Sequence, residues 1–598
     1  MYKRSYVVML LLALAAMVFS ACAAPAVPAG DSSGSEGDTA GAMGPVTVRY
    51  NLATEPPTVD PALSTDTTSS AVIKSIDVGL TMLNPEDSSA EPSLATDWSQ
   101  SDDGLTWTFN LRTDIPWVKY NADSGEVEEV TGDDGSVMYV TAPQVEYGIK
   151  RACDPATASD YAYILYVIDG CEAANTGEGA VDDIAVTALD DATLEISTTY
   201  AASFFPQIVS MPTAFPTPQS VIEEFGDVWT EADNIISNGP YAMAEWIHND
   251  SMQLVKNPFS PLWAEDSRAG NVDVYNFVMI EEASTEFAMY ENNELDDSTV
   301  PQDQMDAVFG EGSAYGDQGH IAPNNCTYYY GFITQKEAVS DPNVRRALSM
   351  AVDRVTMVDQ ILKGGQEPAN SFTNPANFGT VAFDPEVAPW ALTEDLGGTG
   401  YAAAVEMGKQ LMADAGYPDG EGLTLTIGHN VSEGHARIAQ AIQAMWTAAY
   451  PAIQVNIETQ EWGVYLDSIN NDAPMENKPD VYRLGWCADY PHANNWVHEV
   501  FNPEAGANRT MMSVDDPAIG DLVAEYTQVT KDAQTASPED SLAMYKRAEQ
   551  LLVDEMAAII PIYFYTTVRV TKPWLTRLYA NDPYFEYWTL DQSGQEGM

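Results

Sequence analysis

Residues 540–570 read DSLAMYKRAEQLLVDEMAAIIPIYFYTTVRV, and this stretch near the C-terminal end indicates the fold class. Residues 540–557 predict a helix, and it runs into a strand predicted over residues 559–570. A helix that leads directly into a strand is typical of the α/β class.

The same mixture of elements extends toward the N-terminus. Residues 46–52 alternate apolar and polar side chains and predict a strand, and Thr106–Leu111 predicts a second strand after a turn at residues 102–104. Residues 344–363 carry apolar side chains at helical spacing and end at Gly364, so they predict one helix. Residues 401–415 predict another. The coarse pattern is α/β throughout.

The first 22 residues have the layout of an export signal. Lys3 and Arg4 precede an apolar run that ends in small residues before Cys22. This ending resembles the lipobox of bacterial lipoproteins, in which the cysteine is lipidated. We therefore expect a signal peptide over residues 1–21, a lipid-anchored disordered linker over residues 22–45 and an extracytoplasmic location on the cell membrane. An ordinary cleaved signal with an incidental cysteine is the alternative.

Length and charge constrain the part of the chain beyond the linker. A chain of 598 residues exceeds one hydrophobic core and predicts two or three domains. Acidic residues number 89 against 26 Lys and Arg, which gives a formal net charge of −63 and excludes nucleic acid as a partner. The acidic surface either keeps an exposed protein soluble or attracts cationic ligands.

Four cysteines remain after Cys22. An even number in an oxidising compartment predicts two disulfides, and the sequence allows three pairings of Cys153, Cys171, Cys326 and Cys487. Neither a Cys-x-x-Cys pair nor a histidine cluster accompanies them, so we expect no metal site and no cofactor.

Motifs of catalysis are missing from the sequence. His498 and Glu499 begin a His-Glu-x-x-His pattern, but Asn502 stands at the place of the second histidine. The chain is therefore expected not to be an enzyme. An exported hydrolase with a carboxylate pair is the alternative.

Many segments, in sequence order, resemble the family 5 extracellular solute-binding proteins of ABC importers. Two of them, CTYYY at residues 326–330 and RLGWCADY at residues 483–490, resemble the oligopeptide-binding members of the family. The other segments are NLATEPPTVDP (51–61), LATDWSQSDDGLTWTFNLR (94–112), NGPY (238–241), DPNVRRALSMAVDR (341–354), DAGYPDG (414–420), QEW (460–462) and GWCADYP (485–491).

The resemblance implies an α/β, two-lobed periplasmic-binding-protein-like fold of type II, in the large cluster with an extra domain, with a hinge and a buried ligand cleft. Lobe I would comprise residues 45–77, 219–325 and 568–598, an inserted domain II residues 78–218, and lobe III residues 326–567. The resemblance also pairs Cys326 with Cys487, which leaves Cys153 with Cys171. An acidic run between Trp117 and Val140 departs from the family and predicts a surface insertion.

The same resemblance assigns roles in ligand binding. Asp489 would pair with the α-ammonium of a peptide, and Arg483 and His435 would meet its carboxylate. The alternatives are a turn cap or internal pair for Asp489, an interlobe or internal salt bridge for Arg483 and a surface position for His435. Further cleft residues are Trp486, Cys487, Tyr161, Trp462 and Tyr565. The family's other charged positions hold Thr65, Leu362 and Ile469 here, which leaves carboxylate recognition and peptide length open.

The implied function is capture of oligopeptides by lobe closure and delivery to an ABC permease and ATPase complex, by a protein expected to be a monomer. The alternatives keep the fold but change the solute to a dipeptide, an opine, an oligosaccharide or a metal chelate. A receptor that signals instead of importing is a further alternative.

Overall fold

The computed structural model describes residues 44–580 and 582–596. The signal peptide, Cys22 and nearly all of the linker lie outside these residues. Residues from Pro45 on form one compact unit. Within the described ranges, none of the helices has the length and apolar character that a bilayer crossing requires.

A four-stranded sheet begins the described chain, and we call it the first sheet. Its strands lie in the order Thr47–Asn51, Val274–Val278, Ser251–Lys256 and Tyr241–Ile247. The first pair is parallel and the others are antiparallel. The helix Thr67–Ile76 starts at Asp66, whose carboxylate accepts the backbone N–H groups of Thr68 and Ser69 and so caps the helix.

The second sheet is antiparallel and lies in the N-terminal third of the sequence. Its strands lie in the order Ala95–Gln100, Thr106–Leu111, Thr193–Ser197 and Val186–Asp190. The helix Ala142–Cys153 shares a hydrophobic core with this sheet. The strand predicted at Thr106–Leu111 is confirmed.

The acidic run between Trp117 and Val140 forms a hairpin of the strands Val118–Asn121 and Glu126–Glu129. Its turn, residues 122–125, is exposed, as expected of a surface insertion. Trp117 is fully buried at its base, and Val118 exchanges backbone hydrogen bonds with Ser237, which anchor the hairpin.

The large sheet contains two long strands that run beside each other. Within the described residues it has seven strands: Asp297–Thr299, Ile559–Thr571, Gly319–Phe332, Val481–Cys487, Thr424–Asn430 and Gln454–Gln460 in that order, with Glu367–Pro368 beside Ile559–Thr571. Four further short strands form two separate two-stranded sheets: Thr81–Leu83 with Ala90–Pro92, and Leu575–Thr576 with Thr589–Leu590.

Helices pack against the sheets and connect their strands. The remaining helices of eight residues or more are Ala283–Glu291, Pro342–Met350, Tyr401–Asp414, Glu433–Ala449, Trp462–Ile469, Gly520–Thr535 and Pro538–Glu549. The shorter helices are Cys171–Asn175, Phe205–Ile208, Gln219–Phe225, Leu262–Glu265, Met305–Phe309, Arg354–Thr356 and Gln592–Glu596.

The single helix predicted over residues 344–363 is wrong. The helix Pro342–Met350 ends, and Asp353 caps a new turn by accepting the backbone N–H of Thr356 at 3.0 Å. A wider π-helical turn, Met357–Leu362, follows. The α-helix predicted over residues 540–557 also ends early, at Glu549. The π-helical turn Gln550–Glu555 follows it.

Two disulfides cross-link the chain. Cys153 pairs with Cys171, 18 residues away, and Cys326 pairs with Cys487, 161 residues away. The second joins the neighbouring strands Gly319–Phe332 and Val481–Cys487 directly opposite each other. It therefore fixes the register of these two strands at the end of Val481–Cys487.

Candidate functional site

A cleft of about 1200 Å³ lies beside the large sheet. Its walls come from the region of the helix Thr67–Ile76, from residues beside the second sheet such as Tyr161, and from the large sheet. No group of three or more metal-binding side chains occurs in the described ranges. The cleft is large enough for a ligand of several amino-acid residues.

The strand Val481–Cys487 lines the cleft with all of its residues from Arg483 on. Side chains alternate along a strand, so Arg483, Gly485 and Cys487 share a face, and all three line the cleft together with Asp489. On one edge the strand pairs with Gly319–Phe332 over its whole length. On the other edge the strand Thr424–Asn430 reaches only Val481 and Tyr482. Beyond Tyr482, no strand of the described chain covers that edge.

Asp489 stands at the end of this strand with one carboxylate oxygen already bonded. The Tyr161 hydroxyl donates to its Oδ2 at 2.7 Å, and Asn495 Nδ2 donates to the same oxygen at 2.8 Å. Burial raises the pKa of Asp489 to about 6, against these two hydrogen bonds, which lower it. No hydrogen bond within the described residues reaches Oδ1, which leaves that oxygen for a cation.

Behind Asp489 lies a second carboxylate, which residue patterns did not indicate. Asn495 Nδ2 donates to Glu499 Oε2 at 2.8 Å, and the Tyr490 hydroxyl donates to Oε1 at 2.5 Å. Glu499 is only 5% exposed, and burial raises its pKa to about 8. Asn495 Oδ1 accepts from the backbone N–H of Asp489 and from the Trp486 indole. Asn495 therefore fixes both Asp489 and Trp486.

Arg483 is a buried cation without a buried anion. Its side chain is 7% exposed and lies over the ring of Tyr328, with the guanidinium carbon 4.5 Å from the ring centroid. It donates to Asn430 Oδ1 at 3.2 Å and to the Tyr565 hydroxyl at 2.6 Å. Nε has no partner, and no ion pair joins the guanidinium to a carboxylate of the described chain. Such a group favours an anionic ligand.

Aromatic side chains form much of the cleft wall. Tyr161, Trp462, Trp486 and Tyr565 all line it. The rings of Tyr161 and Trp486 are stacked with centroids 6.4 Å apart, and Tyr161 comes from a different part of the chain than Trp486. The structure thus brings together four aromatic positions that the sequence had suggested.

His435 does not line the cleft. Its ring lies behind Arg483, with Nδ1 3.3 Å from the Tyr328 hydroxyl. Burial, and then the charge of Arg483, hold the pKa of His435 well below its usual range. The ring is therefore neutral at pH 7. Leu362 and Ile469 are buried in the core, and Thr65 lines the cleft.

The sequence has clear relatives among known proteins. The profile of Bacterial extracellular solute-binding proteins, family 5 Middle, matches residues 89–508. The chain belongs to this family of solute-binding proteins. The periplasmic oligopeptide-binding protein OppA of Escherichia coli is 29% identical over 541 residues, which cover 90% of each chain.

This chain resembles two solved structures of one relative to different degrees. The structure of the murein tripeptide binding protein MppA of Escherichia coli superposes with a TM-score of 0.78 at 28% identity, and covers 92% of this chain and 99% of that one. The unliganded open form of MppA, at the same identity and with 92% and 98% covered, gives a TM-score of 0.59. The conformation of this chain therefore differs from the open one.

Proposed function

We propose that this protein is the substrate-binding lipoprotein of an ABC importer, which captures oligopeptides by lobe closure and delivers them to a membrane permease and its ATPase. It acts without catalysis. The lipid anchor rests on the sequence around Cys22, and the lobe boundaries at residues 77, 218, 325 and 567 rest on the family resemblance. The name of OppA, an oligopeptide-binding protein, supports the ligand class.

One pair of charged residues is the main support for the ligand class. Asp489, with a free carboxylate oxygen, and Arg483, with no anionic partner, stand on the same chain segment and line the same cleft. A zwitterion with an ammonium at one end and a carboxylate at the other matches this pair in sign and order. The uncovered strand edge between them offers backbone groups to an extended peptide.

The separation of the two charges bounds the length of the ligand. Asp489 and Arg483 are six residues apart, and six residues of extended chain span at most about 20 Å. The long side chain of Arg483 makes the gap between the two charged groups shorter than this span. Extended peptides of about two to five residues fit within that span. Water fills what a shorter side chain leaves empty, so the aromatic walls accept varied residues.

Contacts between the proposed domain II and the proposed lobe III support closure. The Tyr161 hydroxyl bonds to Asp489, and the ring of Phe204 stacks on Tyr490 with centroids 4.7 Å apart and planes 10° apart. Tyr161 and Phe204 belong to the proposed domain II, and Asp489 and Tyr490 to the proposed lobe III. A ligand that bridges the same walls stabilises the closed form over the open one.

Titration calorimetry with trialanine, its N-acetyl derivative and its C-terminal amide tests the proposal. Each blocked peptide should bind about tenfold more weakly or worse, because a buried charge of the protein then lacks its partner. Equal affinities for all three peptides would contradict recognition of a zwitterion. Tight binding of an opine, an oligosaccharide or a metal chelate, without any binding of trialanine, would keep the fold and replace the ligand.

A further inference from the structure

A second, smaller cavity adjoins the cleft. It has a volume of about 80 Å³ and lies beneath the C-terminal end of the helix Thr67–Ile76. Four residues, Lys74, Leu83, Asp582 and Tyr584, line both the cleft and this cavity. It is therefore a side chamber of the cleft, with room for a few water molecules or for the end of one long side chain.

Two buried carboxylates line the chamber. Asp77 is 5% exposed, and its Oδ1 has no hydrogen-bond partner. Glu586 is 8% exposed, and its carboxylate makes neither a hydrogen bond nor an ion pair with another residue of the described chain. Asp77 accepts a hydrogen bond from the backbone of Asn238 and Glu586 one from its own backbone, but no side chain of the described residues donates to either carboxylate. Burial of two carboxylates with so few partners is costly, so their position around one cavity calls for an explanation.

The local backbone makes a negative charge still less favourable there. Asp77 is the residue at the C-terminal cap of the helix Thr67–Ile76, where the backbone carbonyl groups carry partial negative charge. Burial raises the pKa of Asp77 to about 8 and that of Glu586 to about 7. A cation in the chamber would be favoured by both carboxylates and by the helix end together.

The protein's own nearest cation does not fill this role. Lys74 lines the chamber, but its Nζ is bound to Asp582 Oδ2 at 2.8 Å at the boundary with the cleft. Lys74 is therefore not paired with Asp77 or Glu586, and Arg268, whose charge lowers the pKa of Glu586, is ion-paired with Glu91 and Asp266 instead. A metal ion is poorly matched, since the described residues contain no group of three or more metal-binding side chains.

We propose that the chamber is a specificity pocket for the cationic end of a lysine, ornithine or arginine side chain of the bound peptide, with Asp77 and Glu586 as its anionic partners. The inference rests on the proposed function, because the cation enters from the peptide cleft. The long apolar stem of such a side chain passes Leu83 and Tyr584. Its charged end takes the place of the water that would otherwise solvate the two carboxylates. The peptide's backbone ends stay with Asp489 and Arg483.

Calorimetry with paired tripeptides tests the pocket. Each pair carries lysine or norleucine, which has the same stem without the charge, at the first, second or third position between alanines. For the wild-type protein we expect lysine to bind about tenfold tighter than norleucine, or more, at one of the positions. Asp77→Asn and Glu586→Gln should each reduce that ratio and leave the affinity for the norleucine peptide unchanged.

Glu549→Gln serves as the matched control. Glu549 is also a buried carboxylate with a raised pKa, but it accepts the backbone N–H groups of Phe372 and Thr373 and does not line the cleft. This variant should keep the wild-type preference for lysine. A wild-type protein with equal affinity for lysine and norleucine peptides would overturn the pocket, as would a preference unchanged in both Asp77→Asn and Glu586→Gln. Failure of every tripeptide to bind would overturn the proposed function itself.

Discussion

At the scale of single residues, the proposed site has one charged residue on the strand Val481–Cys487 and one just beyond its end, completed by groups from elsewhere. Asp489 and Arg483 lie six positions apart, and the motif around them indicated both. Asn495 and Glu499 follow in the same segment. The wide helical turn Asn494–His498 brings both side chains back under Asp489, so their contacts there depend on this turn. A sequence pattern has no signal for such a turn.

Replacement of Asp489 tests the ammonium site. Asp489→Asn keeps the shape of the side chain but removes its charge, so trialanine should bind roughly 30-fold more weakly or worse, which corresponds to about 2 kcal/mol. Calorimetry measures the change. The matched control is Asp87→Asn, because Asp87 is an exposed carboxylate of the same cleft, bonded to Ser89. Equal losses in both variants would contradict a specific role for Asp489.

The pH dependence of binding follows from the same carboxylate. Because burial raises the pKa of Asp489 to about 6, the group loses its charge as the pH falls through 6. The peptide keeps its α-ammonium and most of its carboxylate charge down to about pH 4.5. The affinity for trialanine should therefore be highest near pH 7, because the peptide loses its α-ammonium charge above about pH 8, and should fall by up to about tenfold for each unit below 6. Asp489→Asn should show a much flatter profile, and an equally steep one would contradict the assignment.

At the scale of secondary-structure elements, strands were easier to predict than helices. Thr106–Leu111 and the long strand Ile559–Thr571 lie where alternation and turn residues indicated. The helix predicted over residues 344–363 breaks because Asp353 caps a new turn and the buried guanidinium of Arg354 donates to the backbone carbonyl of Pro561. Pro561 is about 200 residues away in the sequence, so the local periodicity of residues 344–363 could not predict this hydrogen bond.

The helix Ala142–Cys153 gives a test of packing between elements. A Cβ atom at Gly148 would lie 2.1 Å from the backbone oxygen of Phe215, so the helix touches that backbone directly. Gly→Ala in an exposed helix interior usually stabilises by up to about 1 kcal/mol, whereas Gly148→Ala should destabilise by about 1–3 kcal/mol. Denaturant unfolding measures the difference.

Gly132→Ala is the control for this prediction. Gly132 lies in the acidic hairpin, where the added Cβ meets only Asp134 Oδ1 at the ordinary distance of 3.6 Å. Its unfolding free energy should stay within about 0.5 kcal/mol of the wild-type value. A Gly148→Ala variant as stable as the wild-type protein would show that the helix does not press against Phe215.

At the scale of the whole molecule, the chain is a solute-binding protein of family 5 whose conformation differs from the open form of a relative. The order of motifs along the sequence indicated this architecture, because many segments agreed with one family. The side chamber was beyond such reasoning. Asp77 and Glu586 are separated by about 500 residues, and neither stands in a motif that predicts contact with a ligand.

Acidic residues occur both on the exposed surface and in the cleft wall. The exposed hairpin between Trp117 and Val140 holds several of the 89 acidic residues, as an interpretation of a soluble, solvated surface requires. Two basic residues of the cleft differ in their partners. Lys74 is paired with the carboxylate of Asp582, whereas Arg483 has only neutral hydrogen-bond partners.

Native mass spectrometry of the purified full-length protein, before and after mild denaturation, is the sharpest test of peptide binding. Material bound in the closed cleft is released when the protein unfolds, and fragmentation identifies it. We expect a series of released masses that fragment as peptides of about two to five residues, with lysine or arginine over-represented among them. Release of a single non-peptide compound would contradict peptide binding.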